Sequence, residues 1–82
     1  MEKTFIIKSP SGLHARPAAM LVQKASSFPC DIFLAKGAKK VNAKSIMSLL
    51  ALGIEANEEV VVITQGEKEA EAMQAIGELL GA

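Results

Sequence analysis

The chain has 82 residues, half of them hydrophobic, and a formal net charge of zero. This length suits one small domain and leaves little room for an elaborate catalytic cleft, so we predict a single domain over residues 1–82. The lone cysteine, Cys30, excludes an internal disulfide, and we expect it to be a buried apolar side chain without a functional role.

The sequence contains no motif typical of a metal site, a nucleotide cofactor site or a membrane segment. One histidine and one cysteine do not make a metal site, and neither of the common glycine-rich nucleotide motifs occurs, so we expect no metal and no cofactor. The apolar runs at 5–7 and 49–52 are too short for a signal-peptide core or a membrane span. We therefore predict a cytoplasmic protein without membrane insertion.

Hydrophobic patterning predicts alternating elements in the order βαββαβα. The predicted strands are 4–7, 31–35, 40–42 and 60–64, with a turn at 36–38 between the second and third. The predicted helices are one that begins close to Arg16, a short one at 45–52 that Gly53 ends, and a last one at 67–80. Hairpin-sized links between strands favour an α+β fold, in which an antiparallel sheet carries its helices on one face.

The first helix has an unusual start. Pro17 suits the first turn because it lacks an N–H and its φ is already helical. Proline also disfavours α conformation at the residue before it, which is Arg16. We therefore expect Ala15 and Arg16 at the cap positions. The apolar stripe of this helix, at i, i+3, i+4 and i+7, consists of Ala18, Leu21, Val22 and Ala25.

His14, the only histidine, stands directly before this helix. Imidazole is nucleophilic near neutral pH, and a helix start offers unpaired N–H groups with partial positive charge. No acid lies in the first turn, and Arg16 adds a guanidinium. The pattern predicts a phosphoryl site on His14, with the oxygens held by Arg16 and by the main-chain N–H groups of Ala15, Arg16 and Ala18. The alternative is a lone structural or surface histidine.

Two sequence blocks resemble one known family. Residues 12–18, GLHARPA, resemble the active-site signature of HPr, the histidine-containing phosphocarrier family of the bacterial phosphoenolpyruvate-dependent sugar phosphotransferase system. Residues 42–47, NAKSIM, resemble its regulatory-serine region, and the likeness covers essentially the whole chain. The resemblance implies an open-faced β-sandwich, with four antiparallel strands covered on one face by three helices. It also implies phosphate on Nδ1 of His14, steadied by Arg16, and regulatory phosphorylation of Ser45.

The resemblance further implies a carrier that is not an enzyme. It would accept a phosphoryl group from phosphorylated enzyme I and pass it to sugar-specific enzyme IIA proteins during sugar uptake. Other implied partners are a serine kinase and phosphatase and a transcriptional regulator. We expect a monomer.

The short helix at 45–52 has almost no polar face. We expect Leu49 and Leu52, or their neighbours, in the core, and the alternative is that all the apolar residues of the helix are buried. Ser45 suits the N-cap, where a phosphate would leave the helix intact and act on docking instead. The predicted docking residues for the donor and acceptor proteins are Ile46, Met47, Leu50, Gln23 and Lys24.

Charge divides unevenly along the chain. Residues 1–44 hold eight basic and two acidic residues, a net charge of +6, whereas residues 45–82 hold one basic and seven acidic residues, a net charge of −6. One possibility is that the positive charge gathers on one face and steers the protein toward acidic partners. The alternative is that strands from the two halves interleave in space, so that their electric fields largely cancel. A nucleic-acid or adaptor module would use the basic half. The chain lacks Trp and Tyr and shows no pattern for stacking bases, so we expect no nucleic-acid partner.

Overall fold

The structure, a computed structural model, describes residues 1–8, 10 and 12–81, so positions 9, 11 and 82 of the predicted domain lie outside the described residues. Its elements follow the predicted order. They are β1 (Glu2–Ile6), α1 (Ala15–Ser26), β2 (Asp31–Lys36), β3 (Lys39–Asn42), α2 (Ile46–Leu52), β4 (Glu59–Gln65) and α3 (Glu69–Gly81). No helix within these described ranges combines the length and apolar character that a membrane crossing needs.

The four strands form one antiparallel sheet in the order β1-β4-β2-β3. Strand β4 comes from the net-negative half of the chain and pairs on both sides with strands from the net-positive half. For example, Val60 lies opposite Phe5 of β1, and Val61 lies opposite Ala35 of β2. The sheet therefore interleaves the two halves, which favours the interpretation that their opposite charges mix in space.

One face of the sheet forms the floor of the core. In the β-branched strand β4 every second side chain is buried, at Val60, Val62 and Thr64, and Ile32 and Leu34 of β2 lie beside them. The helices cover this face, which confirms the predicted open-faced α+β architecture. Cys30 is buried, as expected. The buried helical side chains are Ala18, Leu21, Ala25, Leu49, Leu52, Ala72, Met73, Ile76 and Leu80.

The last helix begins two residues later than predicted. Lys68 has a φ of 64°, in the left-handed region, so the right-handed helix begins only at Glu69. The Glu69 carboxylate accepts a hydrogen bond from the N–H of Gly66 at 3.0 Å and lies 3.1 Å from the ammonium of Met1. The residue thus ties the start of α3 to the first residue of the chain.

Candidate functional site

His14 is the N-cap residue of α1. Its backbone is extended, with φ −90° and ψ −168°, and its side chain makes no hydrogen bond to the helix end. The residue is exposed, so the imidazole is open to solvent. The prediction that Ala15 and Arg16 are cap residues is wrong, because the helix begins one residue earlier and they form its first two positions.

The free main-chain donors at this helix start are fewer than predicted. The N–H of Ala18 donates to the carbonyl of His14 at 2.9 Å, as the first hydrogen bond of the helix. The predicted phosphate-binding role of Ala18 is therefore wrong, since its single main-chain donor is used, and Pro17 has none to offer. Within residues 1–8, 10 and 12–81, the N–H groups of Ala15 and Arg16 have no acceptor.

The electrostatics of the helix start favour an anion. The first turn of α1 contains no acidic residue, and Arg16 is exposed there. The partial positive charge of the helix end is therefore not offset by a side chain of its own first turn, and a guanidinium is added to it. An exposed nucleophile, two N–H donors and a permanent cation together can receive and hold a phosphoryl group.

The turn before His14 rests on the loop of residues 53–58, between α2 and β4. The N–H of Leu13 donates to the carbonyl of Ile54 at 2.9 Å, and the Leu13 side chain is buried. Gly12 has a φ of +71°, and a β-carbon on it would lie 2.6 Å from the Ile54 oxygen. Sequence reasoning missed this support, and Gly12 within the motif is the one signal that could have indicated a close backbone approach.

Ser45 is the N-cap of α2, as predicted. Its backbone is extended, and its hydroxyl accepts a hydrogen bond from the N–H of Ser48 at 3.4 Å. The prediction that Leu49 and Leu52 belong to the core is confirmed, because they are 0% and 5% exposed.

The remaining apolar residues of α2 differ in exposure. Met47 is 74% exposed and Leu50 40%, so the alternative that all the apolar residues of this helix are buried is wrong. Ile46 is half-buried and packs against the core, which leaves less of it for a partner. On α1, Gln23 and Lys24 line a cavity of about 350 Å³ together with Met20, which the sequence did not single out and which is 51% exposed.

Comparison with known proteins identifies the family. A family model described as the PTS HPr component phosphorylation site matches residues 1–82. The chain therefore belongs to the HPr family of the PTS, whose members are phosphocarriers and not enzymes.

Relatives of both HPr and Crh type resemble the chain. The HPr-like protein Crh of Halalkalibacterium halodurans is 49% identical over 76 residues, which cover 93% of this chain and 90% of that protein. The crystal structure of HPr-C-His from Thermoanaerobacter tengcongensis matches with a TM-score of 0.95 at 46% identity, covering 99% of this chain and 91% of the other.

A third relative bears on oligomeric state. Crh of Bacillus subtilis, described as a catabolite repression protein and as a dimer with a swapped domain, matches with a TM-score of 0.81 at 45% identity, covering 94% of this chain and 88% of the other. This dimeric relative runs against the expectation of a monomer. The likenesses show the family and do not distinguish its HPr members from its Crh members.

Proposed function

We propose that this chain is a phosphocarrier in which His14 accepts a phosphoryl group from phosphorylated enzyme I and passes it to an enzyme IIA. The observation that carries the proposal is the exposed His14 ring at the start of α1, beside the N–H groups of Ala15 and Arg16 that have no acceptor in the described part of the chain. Membership of a family named for a phosphorylation site supports it.

The transfer balances without a further reactant. The lone pair of Nδ1 of His14 attacks phosphorus, the bond from phosphorus to the donor breaks, and its electron pair returns to the donor. Passing the group on reverses these steps with the acceptor as nucleophile. The Ala15 and Arg16 N–H groups and the Arg16 guanidinium hold the phosphoryl oxygens, because charge stabilisation and positioning are most of what such a transfer requires.

Partners would dock on the exposed surface of the first two helices. Met47 and Leu50 supply apolar area that no part of the described chain covers, and methionine adapts to more than one partner. Ile46 contributes its exposed part, and Gln23 and Lys24 add polar and cationic contacts from α1.

Ser45 supports a second, regulatory function. It lies at the N-terminus of α2 and two residues before Met47, and one relative is described as a catabolite repression protein. A kinase that phosphorylates Ser45 would add a dianion at the positive end of a helix, where the fold tolerates it. The phosphate would change which partners dock, including a transcriptional regulator, and a phosphatase would reverse the change.

The experiment follows labelled phosphate from phosphoenolpyruvate through catalytic enzyme I to this chain and on to an enzyme IIA. We expect an acid-labile label on the wild-type chain and on Ser45→Ala, and none on His14→Ala. Adding an unlabelled enzyme IIA should then remove the label from the carrier. An acid-labile label on His14→Ala would overturn the proposal, as would a label that no enzyme IIA removes.

A further inference from the structure

We propose that Lys36 and Glu58 are positioning residues for His14, because their ion pair braces the loop of residues 53–58 on which the turn before His14 rests. The inference builds on the proposed function of His14. It concerns residues outside the proposed docking surface.

The loop holds the chain on both sides of the turn. Beyond its contacts with Gly12 and Leu13, it is hydrogen bonded to Ile7, the residue directly after β1. The N–H of Asn57 donates to the Ile7 carbonyl at 2.9 Å, and the N–H of Ile7 donates to the Glu58 carbonyl at 3.0 Å. A displacement of this loop would therefore displace the segment that leads to His14.

Lys36 connects both ends of this loop to the end of β2. Its ammonium donates to the carbonyl of Gly53 at 2.8 Å and lies 2.9 Å from the Glu58 carboxylate. That carboxylate also accepts the N–H of Glu55 at 2.6 Å, and the Glu58 N–H donates back to the Glu55 carbonyl at 3.2 Å. The Lys36 and Glu58 side chains are only 31% and 33% exposed.

The electrostatic environment of Glu58 keeps its carboxylate charged, which preserves the ion pair with Lys36. The hydrogen bond from Lys36, and after it the one from the Glu55 N–H, lower the pKa of Glu58 below its ordinary value. The carboxylate is therefore ionised, and its interaction with Lys36 intact, at neutral pH.

Positioning matters here because the His14 side chain makes no hydrogen bond to the helix end, so the backbone before it sets where the nucleophile lies. A small misplacement of a nucleophile lowers the rate of group transfer. Loss of the brace should lower the maximal rate of phosphoryl acceptance and leave the affinity for the donor unchanged, since no docking residue is altered.

The test compares Lys36→Met and Glu58→Gln with matched controls. Lys39→Met and Glu59→Gln make the same charge changes at exposed residues nearby, for which the described residues show no ion pair. Two quantities are measured, the hydrogen exchange of the Leu13 amide in the unphosphorylated protein and the kcat and KM of phosphoryl acceptance from phosphorylated enzyme I.

We expect Lys36→Met and Glu58→Gln to exchange the Leu13 amide hydrogen faster than the wild type. Each should lower kcat about threefold and leave KM unchanged, because about threefold in rate is the scale of one or two polar contacts. The controls should match the wild type, and Lys36→Arg should retain most of the rate. Unchanged exchange, unchanged kcat, or a loss confined to KM would overturn the inference.

Failure of this inference and failure of the proposed function give different results. If His14→Ala still acquires an acid-labile label, the proposed function fails. If His14→Ala stays unlabelled while Lys36→Met accepts phosphate at the wild-type kcat, only the positioning role fails.

Discussion

Gly12 and Ile54 approach so closely that a β-carbon on Gly12 would lie 2.6 Å from the Ile54 carbonyl oxygen. The same glycine has a φ of +71°, a conformation that residues with a side chain rarely adopt. Two independent constraints therefore require glycine at this position. The first arises from the packing of the turn before His14 on the loop of residues 53–58, and the second from the backbone conformation of the turn itself.

Gly12→Ala should destabilise the protein by about 2 kcal/mol or more, through backbone strain and steric overlap together. The matched control is Gly37→Ala, because Gly37 has a φ of +59° but no atom within 4 Å of its would-be β-carbon. Strain alone should cost that variant about 1 kcal/mol. Urea unfolding of both variants measures the difference, and equal losses would contradict the close approach.

The helix cap at Ser45 predicts the relative stabilities of the wild type, Ser45→Ala and Ser45→Asp. Ser45→Ala removes the acceptor of the Ser48 N–H and should cost about 0.5–1 kcal/mol of unfolding free energy. Ser45→Asp should stay close to the wild type, because a carboxylate can accept the same bond and suits the N-terminus of a helix. Thermal unfolding ranks them, with Ser26→Ala, at an exposed position of α1, as the control. A Ser45→Asp protein less stable than Ser45→Ala would argue against the cap.

Ser45→Asp should also slow phosphoryl acceptance several-fold while its fold is kept, because it places a negative charge beside exposed Met47 on the proposed docking surface. The initial rate with phosphorylated enzyme I is the measurement, and Ser45→Ala should accept phosphate at nearly the wild-type rate. Wild-type rates for Ser45→Asp would remove the basis for regulation at this residue.

Local rules predicted much of this structure from sequence. Periodicity gave the order of the elements and the buried Leu49 and Leu52, since both follow from side-chain direction along one helix. The cap at Ser45 followed from the preference of helix starts for serine. The sequence predicted the cap of α1 at Ala15 and Arg16, whereas the observed N-cap is His14, one residue earlier. Helix boundaries commonly differ by this much.

Other features depend on contacts that local rules do not contain. Lys68 adopts a left-handed φ, which a lysine in an otherwise helical pattern does not indicate, so α3 begins later than predicted. The hydrogen bond from Leu13 to Ile54 joins residues about forty positions apart in the sequence. The ion pair of Lys36 with Glu58 also joins residues that are far apart in the sequence. Tertiary packing, and not propensity, sets these features.

Arg16 and Lys24 should have separable effects on transfer. Arg16→Gln removes the cation at the start of α1 and should lower kcat of phosphoryl acceptance about tenfold, because the proposed charge-assisted contact to the phosphoryl oxygens would be lost. Lys24→Gln removes a cation from the last turn of the same helix and should act on KM instead, through docking. Steady-state rates with phosphorylated enzyme I distinguish them. The reverse pattern would contradict the assigned roles.

Glu69 predicts an acid-dependent contribution to stability. The Gly66 N–H, and after it the Met1 ammonium, hold the pKa of Glu69 below its ordinary value of 4.5. A folded-state pKa that is lowered stabilises the protein above the unfolded value, and this contribution is lost as the pH falls through the folded value. Glu69→Gln should therefore be less stable than the wild type near pH 7 and equal to it at strongly acid pH. Glu78→Gln, at an exposed position of the same helix beyond its first turn, is the control and should lose less stability near pH 7 than Glu69→Gln.

Phosphorus NMR of the chain, with ¹⁵N-labelled histidine, after incubation with phosphoenolpyruvate and enzyme I tests directly whether His14 carries the phosphoryl group. We expect a single phosphorus resonance coupled to Nδ1 of His14, absent from His14→Ala and lost on mild acid treatment. A resonance coupled to Nε2 instead of Nδ1 would contradict it, as would an acid-labile phosphorus resonance from His14→Ala, or no resonance from a folded wild-type chain under conditions in which enzyme I phosphorylates a known HPr.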